Sequence, residues 1–206
     1  MKIYLGLILL MMVLIALTLA ILFPYFPMVG SIICGLLFLL LVRLVLKKEF
    51  KITLPFPINC LLAFGIFADS IGNALDFYGK KWGPLWYDSW VHLFIPFCLS
   101  FSFFWFFNSL RLQKKLNVGQ PLLWILVFSL TFSLAAFYEV TELWDELYFG
   151  GRRIWGAHDT ARDLQWDMAG IISGMLIYWM ILKVRQKLKG KVYKKNKVNS
   201  IFDSRN

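Results

Sequence analysis

Six runs of about twenty predominantly apolar residues follow one another along the chain, at 3–23, 28–46, 58–77, 89–110, 121–142 and 163–182. Each is long enough to cross the roughly 30 Å hydrocarbon core as a helix. Inside that core the backbone must satisfy its own hydrogen bonds, so the fold is restricted to helices or a closed barrel, and runs this long and uninterrupted read as helices. Hydrophobic residues make up 59% of the 206, charged residues 17%, and the mean hydropathy is +0.65, which leaves too little polar surface for a soluble fold. The expectation is an all-α polytopic bundle: a membrane domain of about six transmembrane helices over 1–182 and a basic tail over 183–206. The run after Lys2 exceeds a signal-peptide core and has no small-residue cleavage site after it, so it reads as an uncleaved first helix. Pro24-Tyr25-Phe26-Pro27 breaks the first two runs into a hairpin, and 47–57 reads as an interfacial connection. Cys34, Cys60 and Cys98 lie singly in apolar surroundings and imply neither disulfides nor a thiolate site.

Charge sets the orientation. Seventeen of the 22 Lys and Arg fall at one end of an alternating path, leaving Lys80, Lys81, Arg152, Arg153 and Arg162 at the other. Short cytoplasmic loops carry the excess of positive charge, so both termini are expected in the cytoplasm and the protein in the plasma (inner) membrane. The tryptophans agree: Trp82, Trp86, Trp90, Trp144, Trp155 and Trp166 fall at outer ends, and Trp105, Trp124 and Trp179 toward inner ends. The lysine-rich tail suits the anionic inner leaflet, making membrane lipids the expected partners and nucleic acid not.

Ten of the twelve carboxylates lie at the opposite end from the basic clusters, on four different runs. Asp69, Asn73 and Asp76 recur at i, i+4, i+7, which places them on one face of the third helix. Asp88 and His92 are four apart at the start of the fourth. Glu139, Glu142 and Glu146 follow i, i+3, i+7 on the fifth, and Asp159, Asp163 and Asp167 follow i, i+4, i+8 on the sixth. A charge within a span costs at least ~2.5 kcal/mol unless it turns inward to a partner, so the stripes are expected to face one another. Such a concentration of negative charge needs bound cations, shared protons, or Arg152, Arg153 and Arg162. Carboxylates with an imidazole suit a divalent ion such as Mn, Fe, Zn or Mg, with His92, Glu139 and Asp167 as the expected ligands. Plainer readings exist for some residues. Asp159, Thr160 and Asp163 resemble a capping box, Asp88 beside Ser89 is placed to cap its helix, and Asp145 and Glu146 read as solvated interface charges. A lone His92 would serve equally as a structural histidine, and His158 is a weak candidate. Gly170 and Gly174 form a GxxxG pair assigned to packing within the chain, and the Phe-rich stretch 101–107 reads as a lipid-facing surface.

Three segments, YDSWVHLFIPF (87–97), AFYEVTELWDE (136–146) and DLQWDMAG (163–170), together resemble the YjdF-like family of bacterial inner-membrane proteins, a domain of unknown function. The resemblance marks Asp88, His92, Glu139, Glu142, Asp163, Gln165 and Asp167 as a polar core and implies no activity. Leu164 stands where the family commonly has threonine, and Trp144-Asp145 where its pattern is more apolar. A looser likeness to VanZ-like membrane proteins rests on Asp88, His92 and Glu139.

Three functions fit such a cluster: a metal-dependent enzyme acting on a lipid or envelope substrate, a proton- or cation-coupled transporter, and a non-catalytic envelope factor. No lipid phosphatase, headgroup transferase or multi-histidine desaturase signature is complete. An outward-open pocket closed below favours the enzyme; polar residues continuing to the inner face favour transport.

Overall fold

The computed structural model describes residues 26–151 and 153–203, so the first apolar run lies outside the described residues, as does the break after it up to residue 25. Five helices account for most of what is described: α1 (Phe26–Lys48), α2 (Phe56–Ala74), α3 (Tyr87–Leu112), α4 (Gln120–Trp144) and α5 (Asp159–Asp203). Four candidate spans, Phe56–Asn73, Tyr87–Leu112, Gln120–Tyr148 and Asp159–Leu188, are long and apolar enough to cross a membrane. Prolines in the first turns of α2 and α4 forfeit no helical hydrogen bond there, because those amides have no intrahelical acceptor.

Several local features depart from the sequence expectations. Helix α2 stops at Ala74, and Asp76 takes a left-handed φ of 52°, which turns the chain and removes Asp76 from the helical stripe. Between α2 and α3 a small antiparallel hairpin pairs β1 (Lys81–Trp82) with β2 (Leu85–Trp86); Gly83, at φ 68°, supplies its turn. The last turn of α4 widens into a π-helical turn over Asp145–Phe149, closed by the left-handed Gly150. Helix α5 runs 45 residues, so the basic tail as far as Asp203 continues the last span as helix.

Helix α3 is the centre of the bundle and packs on α2, α4 and α5. Leu93 and Phe97 meet Gly170 and Gly174, while Phe104 meets Tyr178, so residue numbers rise together and α3 and α5 run parallel. Trp124 meets Phe104 edge-to-face and Glu139 lies near His92, so α4 runs antiparallel to both. A Cβ on Gly72 would strike the Tyr87 ring and one on Gly65 would face Ile95 at 3.9 Å, which makes α2 antiparallel to α3. The starts of α3 and α5 therefore share one end with the finishing turns of α2 and α4. A Cβ on Gly170 would strike the Leu93 carbonyl oxygen, and one on Gly174 would strike Ser100 Oγ; the pair serves packing within the chain.

The Phe-rich stretch is not a wholly lipid-facing surface. Phe104 is fully buried, and Phe101 and Trp105 pack against both core clusters, one built around Leu39, Ile58 and Ala63 and the other around Leu123, Val127 and Ile171. Aromatic rings on several faces of α3 fit its central position, where neighbours surround it. At the end remote from the acidic stripes, Lys115 Nζ donates to the Phe50 carbonyl at 2.5 Å, tying the α1–α2 and α3–α4 connections together.

Candidate functional site

His92 stands one turn into α3 and is 6% exposed. Its ring nitrogens face carboxylates on opposite sides. Nδ1 lies 3.1 Å from Asp167 Oδ1 and 3.7 Å from Glu139 Oε1, while Nε2 lies 3.6 Å from Asp88 Oδ1. The spacings explain the convergence: Asp88 and His92 are one turn apart on α3, and Asp159, Asp163 and Asp167 repeat at four on the face of α5 that meets it. Asp163 and Asp167 are each 2% exposed and Glu139 is 5% exposed, so the group sits inside the bundle.

Charge compensation is uneven. Arg162 reaches Asp88 at 4.0 Å, Asp163 at 3.8 Å, and Asp159 more closely still. Asp159 also accepts the Trp155 amide at 2.6 Å, so it anchors the incoming loop as well as opening the helix. Asp88, placed by sequence to cap α3, makes no capping bond; the cap position is Trp86, and the Asp88 carboxylate turns to His92 and Arg162. Its place in the first turn is still favourable, because unpaired amides there attract negative charge. Arg153 pairs with Glu142 at 3.5 Å and Asp145 at 3.2 Å. Among the described residues no Lys or Arg lies within 4.0 Å of Glu139 or Asp167. Among the described residues Glu139 Oε1 and Asp167 Oδ2 are buried without a hydrogen-bond partner, as is Asp163 Oδ1 in the arginine-compensated group.

Two triads have donor atoms close enough to share an ion: His92, Glu139 and Asp167, and Asp88, His92 and Asp163, the donors of each lying within 4.8 Å of one another. The first is buried throughout and lacks an arginine; the second includes Arg162's partners.

A second polar group adjoins the first. Asp69 accepts the Tyr78 hydroxyl at 2.5 Å, the Asn73 side-chain amide at 3.1 Å and the Tyr138 hydroxyl at 3.4 Å. Tyr138 accepts in turn from Arg153 at 3.2 Å and presents its ring to His92 at 6.3 Å, so it joins the two groups. Burial beside Asp69 pushes the Tyr78 phenol above its ordinary pKa, which keeps it a hydrogen-bond donor. Burial opposes the charge on Arg153, but Tyr138, Asp69, Glu142 and Asp145 outweigh it and hold the guanidinium more firmly protonated than usual.

The remaining sequence candidates lie apart. Asp76 is exposed in its turn, Glu146 is exposed and accepts the Ile154 amide at 3.4 Å, and His158 is exposed in the loop before α5. Gln165 is exposed because it stands two residues from both Asp163 and Asp167, roughly half a turn round the helix. Tyr78 and Tyr138 were not foreseen; an aromatic ring beside an acidic stripe carries no distinctive spacing, and only the immediate adjacency of Tyr138 to Glu139 hinted at a role.

A cavity of about 310 Å³ opens beside His92 and Asp167, with Asp69 and Tyr138 at the same level and Ile95, Leu99, Thr131 and Leu134 deeper. No curated protein and no solved structure matches the chain, and the likeness to VanZ-like proteins finds no support. Residues 5–187 match the family described as predicted membrane protein (DUF2238), which supports the YjdF-like resemblance at the level of a membrane domain of unknown function, and the chain belongs to that family.

Proposed function

We propose that His92, Glu139 and Asp167 hold one divalent cation, and that the protein is a metal-dependent membrane enzyme acting on a lipid or lipid-linked substrate at the outer headgroup level. The observation that carries this reading is the pair of buried carboxylates, each with an unpartnered oxygen, that converge on one imidazole nitrogen with no arginine or lysine among the described residues within 4.0 Å of either. Two negative charges in a site of low polarity call for a doubly charged counterion or for uptake of protons. An ion held through Nδ1 would leave the Nε2 proton of His92 on the side of Asp88, 3.6 Å away, where a carboxylate would help to fix the tautomer and strengthen the ligand. Arg162 then holds Asp88 from behind. Three protein donors leave coordination positions for water and for a phosphoryl or carbonyl oxygen, which the ion would polarise.

The domain in this reading has six spans, the run 3–23 included, with both termini in the cytoplasm, the polar end of the bundle outside the inner membrane, and the basic tail beside anionic lipid. The basic-residue asymmetry supports it. Transport is disfavoured by what lies beneath the cluster: Phe104, Leu123, Val127, Ile171 and Met175, each no more than 2% exposed, fill the interior toward the basic end.

Thermal unfolding of detergent-purified protein tests the cation. After chelation, Mn, Zn or Mg added to 100 times its Kd should stabilise the fold by about 2.7 kcal/mol, and Glu139→Gln should reduce the shift. A wild type indifferent to all three ions, beside a normally folded Glu139→Gln variant, would leave a proton-sharing or structural cluster instead.

A further inference from the structure

Resting on the metal-enzyme reading, we infer that the substrate is a single-chain amphiphile whose aliphatic chain lodges in the cavity beside His92 and whose anionic group, phosphoryl or carboxyl, joins the chain next to the ion. The cavity's volume of about 310 Å³ lies at the small end of the usual ~300–1,000 Å³ for ligand pockets, room for one chain segment and not for a two-chain lipid. Its polarity is graded along its length. Asp69, His92, Tyr138 and Asp167 line one level, and Ile66, Ile95, Leu99 and Leu134 line much of the rest. Leu99 and Thr131 lie seven residues along their helices from His92 and Tyr138, which makes the pocket about 10 Å deep. An apolar compartment of this kind stays dry and accepts hydrocarbon, whereas a small hydrophilic substrate would be stripped of water there without replacement bonds.

Two details favour a ligand over a packing defect. The wall at Gly65 is open: among the described residues a Cβ there would meet only Ile95, at 3.9 Å, so the space is kept by the absence of a side chain where helix propensity would favour a larger residue. Pro96, also in the wall, has no amide hydrogen for the His92 carbonyl four residues earlier, so α3 gives up a hydrogen bond next to the proposed ion. A chain whose reacting group is attached directly to its first carbon would place that group beside His92 and Asp167; a glycerophospholipid interposes its glycerol and a second chain.

The test uses the full-length protein in amphipol and two series of probes, alkyl phosphates and alkyl carboxylates from butyl to dodecyl, with and without Mn. For the favoured head group, affinity referred to the aqueous monomer should rise roughly three- to fourfold per methylene. It should level off once the chain outgrows the ~10 Å pocket. Gly65→Leu should move that plateau to shorter chains while metal binding stays as in wild type. Which series binds more tightly distinguishes phosphoryl from carboxyl substrates. Affinity independent of chain length, or a length dependence that Gly65→Leu leaves unchanged, would overturn the inference. Chain binding with the expected plateau but no response to Mn would uphold the chain pocket and sink the metal reading instead.

Discussion

Gly170→Ala is the most informative single methyl group to add. A Cβ at Gly170 meets the backbone of α3: the Leu93 carbonyl oxygen first, then its carbon at 3.0 Å and the Phe97 nitrogen at 3.2 Å. Backbone cannot rotate aside like a side chain, so α5 must retreat from α3 by on the order of 1 Å, a gap that forfeits a quarter to a half of the dispersion energy of each contact it opens. Overpacking of this kind costs ~1–3 kcal/mol, offset by the ~0.5–1 kcal/mol that alanine gains over glycine in a helix. The net expectation is a loss of about 0–2.5 kcal/mol, against a gain of about 0.5–1 kcal/mol where the added methyl meets nothing. Gly190→Ala is the control: a Cβ at Gly190, in the same helix, would meet nothing within 4 Å among the described residues, so it should only gain. Because Asp167 is one turn before Gly170 on α5, the same retreat should lengthen its 3.1 Å approach to His92 and weaken metal binding alongside stability. Unfolding in mixed micelles of rising SDS fraction measures the first effect, and Mn titration the second. A Gly170→Ala protein as stable as the Gly190→Ala control would refute the close α3–α5 seam.

Phe104→Ala should cost about 2–4 kcal/mol in the same assay, since the ring is fully buried between Trp124 and Tyr178; a loss below ~1 kcal/mol would return the Phe-rich stretch to the lipid. Asp88→Asn should weaken metal binding roughly 10- to 100-fold while the fold survives, because Asp88 faces His92 Nε2 at 3.6 Å and would orient the ring toward the ion; unchanged affinity would place the ion elsewhere. In intact cells, Lys80→Cys should react with a membrane-impermeant thiol reagent and Gln113→Cys only after permeabilisation, both positions being exposed at opposite ends of the bundle; the reverse pattern would invert the orientation.

The level of the polar residues was legible because membrane geometry leaves a helix few choices: alternating spans carry Asp69, Asp88, Glu139 and Asp167 to one end whatever their packing. Their facing was legible where the helical period held, as on α5, where spacing by four aligns Asp159, Asp163 and Asp167. It failed where the helix stopped or widened. Asp76 left its stripe because α2 ends at Ala74, and Glu146 left its own where α4 becomes a π turn, neither marked by a proline or glycine at the break. Gln165 came from the family resemblance, and the period argues against it. The division of labour among cations was beyond a sequence reading, since Arg153 and Arg162 find their partners only in three dimensions. The chain-sized cavity was equally hidden: an absent side chain at Gly65 has meaning only once Ile95 is known to stand opposite.

The most direct measurement of the central claim is pulsed EPR of the purified protein loaded with Mn(II), in wild type and in Asp167→Asn and His92→Gln variants shown to be folded. One tightly bound ion per chain, carrying a nitrogen hyperfine signal that disappears in His92→Gln and an affinity that falls in Asp167→Asn, is the predicted result. Folded wild-type protein that retains no Mn(II), Zn(II) or Mg(II) after equilibration and gel filtration, or that binds Mn(II) with no nitrogen ligand, would contradict it.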